Sequence, residues 1–258
     1  MTEFVEQNLD GARFRNVSLA GARFRNVNLA GASIRGAYAV DLEIDGDVRN
    51  LTVNGVDVGP LVEAELNRRD PDRALVFAPG ADGMREAWAM LERRWQHTVD
   101  RARSLPAELL DERVDDEWSF VETLRHLVFA TDAWVLRAYL GQPAPWHPLG
   151  LSHEEADEIP SMRLDRQAKP SLEEVLALRA DRMATVRQVL ADLTDERLAG
   201  TTEPVLEPGY PASESYPVER CLRCILIEEW EHRRFAERDL AILTSRASSP
   251  SGAGGSPS

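Results

Sequence analysis

Two hydrophobic periods divide the chain. Up to about residue 44 the large apolar positions recur every fifth residue, as Phe4, Leu9, Phe14, Leu19, Phe24, Leu29 and Ile34, with Ala39 and Ile44 continuing the register. Small residues, Ala12, Val17, Ala22, Val27 and Ala32, precede most of them by two. A five-residue spacing fits neither the 3.6 period of a helix nor the alternation of a plain strand. The segment also repeats itself, because GARFRNVSLA at 11–20 returns as GARFRNVNLA at 21–30. Repetition at a fixed period is the signature of a solenoid.

From Gly80 onward the period becomes helical. MREAWAMLERRWQHTVDRARSLP predicts a first long helix with Trp88, Leu91, Trp95 and Val99 on one side, ending before Pro106. Ser119-Phe-Val-Glu122 reads as a capping box opening a second helix that closes at Gly141. Ser171-Leu-Glu-Glu174 opens a third that runs to about Ala191, and a fourth is expected from about Pro217 to Leu243. Four amphipathic helices predict a four-helix bundle, an architecture that builds metal sites from facing helices. Between the two regions, the alternation in LEIDGDVRNLTVNGVDV and its Asp45-Gly46 and Asn54-Gly55 dipeptides predict hairpin-like turns. A short helix, VEAELNRRDPDR, is stopped by Pro71. The expected divisions are 1–59 repeat segment, 60–79 linker with a short helix, 80–244 bundle and 245–258 disordered tail, the last from the composition of ASSPSGAGGSPS.

Composition narrows the classes. With 258 residues, 43% of them hydrophobic, the chain can fill a sizeable core. No apolar run approaches the roughly 18 residues that span a bilayer, and MTEFVEQNLDG lacks the pattern of a leader, so the expected location is cytoplasmic. A net charge of -14 disfavours nucleic acid and anionic membrane as partners. Cys221 and Cys224 are the only cysteines, too few for a structural zinc site, and read as small core residues, with Cys221 lining a cavity as the alternative.

The candidate chemistry lies in the second and fourth helices. Glu228 and His232 are four apart in CILIEEWEHRRFAERDL, so they stack on one helical face and can reach one ion. They interrupt an apolar row with Cys221, Ile225, Phe235 and Ala236, and a buried carboxylate needs a partner. His126, on a largely apolar stripe of the second helix with Thr123, Phe129, Ala130 and Ala133, supplies a third donor. Two imidazoles and a carboxylate suit zinc, and also nickel, iron or manganese. The spacing alone fits an exposed Glu–His pair as well, and a lone histidine fits a core position. Glu122, four before His126, is explained by its capping role. The loop GQPAPWHPLGL is expected at the mouth of the site, with His147 as the candidate catalytic residue, while His97 and His153 receive no role.

Two family resemblances follow from these motifs. Residues 4–44 resemble the pentapeptide repeats, which implies a short right-handed, four-sided β-helix with the large and small residues inward; Asn8 and Asn28 fit the family's polar position, while Arg13 and Arg23 depart from it. Residues 80–243 resemble the DinB superfamily, through Trp118 before the second helix, His126 within it and the Glu228/His232 pair in the last. Glu-x-x-x-His in that place resembles the mycothiol-dependent transferase and isomerase branch. The overall expectation is an α+β multidomain chain, a β-helix followed by an all-α bundle. The resemblance implies a divalent metal on His126, Glu228 and His232, mycothiol as the thiol cosubstrate, and an electrophilic small molecule as substrate. Two other readings stand beside it: a non-catalytic, metal-stabilised binding module, and a homodimer or protein partner held through the repeat segment.

Overall fold

The computed structural model describes residues 3–25, 27–46, 48–153 and 159–248. The chain forms two compact units, Met1–Val48 and Arg49–Ser258.

In the first unit the five-residue period appears as a corner in the backbone. Positive φ recurs at Glu6, Gly11, Asn16, Gly21, Gly31, Gly36, Asp41 and Gly46. Backbone bonds from Ala12 N to Leu9 O, Ala22 N to Leu19 O and Ala32 N to Leu29 O, at 2.9–3.0 Å, close every second corner. Asn8 Oδ1 accepts from Asp10 N and Asn28 Oδ1 from Ala30 N at 2.8 and 2.9 Å, which is the local service short polar side chains give to turns. The inward burial that a β-helix implies is not found. Every described residue through Asn50 is exposed, Phe14 at 59% and Phe24 at 60%, and no strand lies among the described residues of this unit. A coil buries its apolar row against the coil above and below, and about two coils leave too few neighbours for that.

The second unit opens with a small hairpin, β1 (Thr52–Val53) and β2 (Val56–Asp57), paired antiparallel around Asn54-Gly55. This is the one of the two expected turns that forms a hairpin, with φ positive at both central residues as such a turn requires. Helices α1 (Gly59–Arg69) and α2 (Arg73–Val76) follow, on either side of Pro71. The four long helices appear where the capping boxes and apolar rows put them: α3 (Gly80–Arg103), α4 (Phe120–Thr131), α5 (Leu172–Ala191) and α7 (Val218–Ser248), with the single turn α6 (Asp195–Leu198) between the last two. Residues 245–248, expected in the tail, extend α7, and 249–258 lie outside the described residues. Trp88, Leu91, Trp95 and Val99 of α3 are buried as their spacing requires.

Helix α4 is buried on all sides, with Glu122 alone of its first eleven residues partly open, so it forms the centre of the bundle. It continues as π-helical turns over Asp132–Tyr139 and ends where Gly141, at φ +75, accepts a conformation that a Cβ would resist. Two buried arginines then tie loops to this helix through carbonyls. Arg125 donates to Leu149 O, Ala168 O and Asp165 O at 2.6–2.9 Å, and Arg137 to Pro143 O at 2.7 Å, Pro211 O at 3.3 Å and Glu207 O. Each spreads its donors over several loop residues, as a planar guanidinium can. The loops at 142–153 and 201–216 are thereby fixed over one end of the bundle. Among the described residues no helix is long and apolar enough to cross a membrane.

Candidate metal centre

The capping box that opens α4 sets the position of His126. Ser119 Oγ accepts from Glu122 N at 3.2 Å, and Glu122 Oε2 accepts from Ser119 N at 2.9 Å. Glu122 also takes two bonds from Arg113 at 2.6 and 2.8 Å, so its carboxylate is engaged away from the donor set. Two turns further, His126 lies 7% exposed between α4 and α7. Its Nδ1–H donates to Leu151 O at 3.0 Å, because a carbonyl can only accept. Leu151 N in turn donates to Arg125 O at 3.2 Å, so both backbone groups of one loop residue are held by adjacent residues of the helix. With Nδ1 protonated, the lone pair of neutral His126 is on Nε2.

That lone pair faces a carboxylate. Glu228 Oε2 lies 3.3 Å from His126 Nε2 and 3.1 Å from His232 Nε2, and the three residues together place their donor atoms within 4.8 Å of one another. Burial pushes His126 down, toward the neutral form, in spite of the charge beside it. Burial would raise Glu228, but the bonding to His126 and His232 prevails and holds its carboxyl well below the usual range. The neutral imidazole and the ionised carboxylate therefore present two acceptors to each other, an arrangement that only a shared cation makes favourable.

The separations fit such a cation. Charge-assisted N–H···O bonds are shorter, about 2.7–2.9 Å, and the Arg113 and Arg182 pairs of this protein fall at 2.6 Å. Two ligands at about 2.0–2.1 Å from one tetrahedral ion stand roughly 3.3 Å apart. The donor set thus has the chemistry and the spacing for a divalent metal, and the Leu151 carbonyl is the outer partner that ligating imidazoles ordinarily have.

The surroundings differ from side to side. Side-chain exposure rises from 9% at His126 to 18% at His232 and 30% at Glu228, so the trio opens toward solvent over its carboxylate. Trp118 covers both imidazoles, its ring 4.5 Å from that of His126 and 5.9 Å from that of His232. On the other side of His126 a row of aromatic rings leads away: Phe129 at 6.1 Å, then Tyr210 and His153, themselves 4.8 Å apart.

The remaining expected residues lie elsewhere. His147 N donates to Asp132 Oδ2 at 2.9 Å, and His147 Nδ1 accepts from Leu149 N at 3.1 Å, so this histidine shapes its own loop and stands outside the donor set. Cys221 packs with Ala138 and Tyr216, and burial pushes its thiol up to about 11. The cysteine near the donor set is Cys224, one turn before Glu228, whose thiol is pushed up first by burial and then by the Glu228 charge. Four-residue spacing would have singled it out. His97 is exposed, bonded to Arg93 O. Leu151, Arg125 and the ring contacts of His153 left no signal in the sequence, because they depend on how the loops close over α4.

Comparison with known families agrees with this arrangement. A family model described as the DinB superfamily matches residues 90–236, and the pentapeptide repeat model matches eight copies over residues 8–39. No curated protein and no solved structure matches.

Proposed function

The chain belongs to the DinB superfamily, with pentapeptide repeats ahead of that region, and from this premise we propose that it is a metal-dependent thiol transferase or isomerase whose ion is held by His126, Glu228 and His232. The observation that carries the reading is the 3.3 Å contact between His126 Nε2 and Glu228 Oε2, two acceptors with no proton of their own to share. Zinc is the best match to two imidazoles and one carboxylate. When bound, the ion supplies the positive charge that stabilises a thiolate at neutral pH, the nucleophilic form of a mycothiol-type cosubstrate.

The protein's own residues do the rest of the work in this reading. Leu151 O fixes the His126 tautomer, so Nε2 is permanently available. Glu228 brings the negative charge that offsets part of the ion's own. Trp118 shields the imidazoles from water, and the exposed side over Glu228 is the approach for thiol and electrophile. His147, with Nδ1 taken by Leu149 N, keeps Nε2 for proton exchange with substrate. A closed, purely structural site would need a fourth donor. Support for an open one is that Glu122, Cys221 and His147, the candidates for that place, are each engaged elsewhere. A thiol kept reduced fits a cytoplasmic setting.

The repeat segment is read in the same way as a short four-sided β-helix, supported by a corner at every fifth residue. The test of the central reading is metal analysis of the purified chain beside His126→Ala and His232→Ala. We expect about one divalent ion per chain, lost in both variants, and consumption of mycothiol by an alkylating electrophile only with metal. Equal metal content in all three proteins would sink it.

A further inference from the structure

The apolar row of the repeat segment is exposed along its whole length, and an exposed row of this kind calls for a partner. Phe4, Phe14 and Phe24 are 59–60% exposed, Leu9, Leu19 and Leu29 44–59%, and Ile34 78%. With an aromatic side chain burying roughly 150–250 Å², these seven residues leave on the order of 800 Å² open. Scattered exposed residues need no explanation, but a contiguous patch of several hundred Å² marks an interaction site. It also matches the share of about 800 Å² that each partner contributes to a standard stable interface.

We propose that this row docks on the same row of a second copy of the chain, so that two short coils become one longer solenoid in a homodimer. Periodicity points to that occupant. A surface that fills gaps recurring every five residues must itself present side chains every five residues, and within this chain only the repeat segment does so. The blocks 11–20 and 21–30 differ at one position, Ser18 against Asn28, so a coil that can pack on its own next repeat can pack on another copy's. A two-fold contact of this kind closes at two copies.

Charge points the same way. Residues 11–40 carry Arg13, Arg15, Arg23, Arg25 and Arg35 and no acid, whereas Glu3, Glu6 and Asp10 precede them and Asp41, Glu43, Asp45 and Asp47 follow. A basic centre with acidic flanks is complementary to a copy of itself displaced along the row. Along an extended side, neighbours of an apolar residue point to the opposite face, so Arg13, Arg15, Arg23 and Arg25 are directed away from the row that docks.

Sedimentation of the full-length chain tests this, over a concentration series and beside the double variant Phe14→Glu/Phe24→Glu. Both positions are exposed in the single chain, so the variant keeps its fold, checked by unchanged helical circular dichroism. The expected result is a wild-type mass of about twice the 28.8 kDa chain and a variant at the single-chain mass. A wild type that stays monomeric throughout overturns the proposal. A dimer that survives the double variant also overturns it, by placing the contact elsewhere, and so does a wild type found only in stoichiometric complex with a different protein.

Discussion

A buried imidazole has two nitrogens to satisfy, and at His126 each has an assigned partner: Leu151 O for the N–H and Glu228 for the lone pair. The first contact is ordinary; the second sets acceptor against acceptor, and so identifies the place of a cation. Trp118 makes this testable with light. Its ring lies over both imidazoles, so an ion with a partly filled d shell, cobalt(II) or nickel(II), is expected to quench its emission until one equivalent is bound. Trp118→Phe should remove most of that metal-dependent change and leave the emission of the other tryptophans. Quenching that is the same in the variant would place the ion elsewhere. Glu228 and His232 were legible in the sequence because a four-residue spacing needs only one helix. His126 required a face of a second helix and the family resemblance. The Leu151 carbonyl was not legible, since every residue offers a carbonyl and only the closed loop selects one.

Helix α4 shows how a local signal fixes a site at the scale of an element. Its capping box bonds Ser119 and Glu122 reciprocally, and Arg113 adds two bonds to the same carboxylate. Burial alone would raise the Glu122 pKa, yet these partners hold it below the usual carboxylate range. A folded-state value below the unfolded one, about 4.3, means stabilisation fully present above that pH and lost as pH falls through the folded value. Glu122→Gln is therefore expected to cost about 1 kcal/mol near pH 7, in the range of lost caps, and progressively less below about pH 4. Urea unfolding of both proteins at the two pH values measures it, and a gap that does not narrow in acid would refute the assignment. The same boxes made the starts of α4 and α5 readable from sequence. The π-helical turns at Asp132–Tyr139 were not, because no residue pattern distinguishes them from α-helix; they follow from the packing that aims Arg137 at the loops.

Across the whole molecule, the donor set joins parts of the chain that are far apart, with 102 residues between His126 and Glu228. Helices α4 and α7 already pack through Leu124, Leu127, Ala236 and Leu240, and a buried pair, Arg179 with Glu229, links α5 to α7. An ion bound only by the folded state adds to this in proportion to its occupancy: at a free concentration of one hundred times Kd it contributes about 2.7 kcal/mol. In a domain of this size each kcal/mol moves Tm by roughly 2–4 °C. Stripping the metal from the loaded chain with a chelator should then lower Tm by about 5–10 °C, with recovery on adding zinc, and His126→Ala should give the same Tm with and without chelator. The contrast separates the ion from the packing, because the hydrophobic contacts between α4 and α7 are untouched by chelation. A loaded wild type whose Tm ignores the chelator would mean that Glu228 is held by the two histidines alone, and the proton that their contact lacks would have to be found on His126.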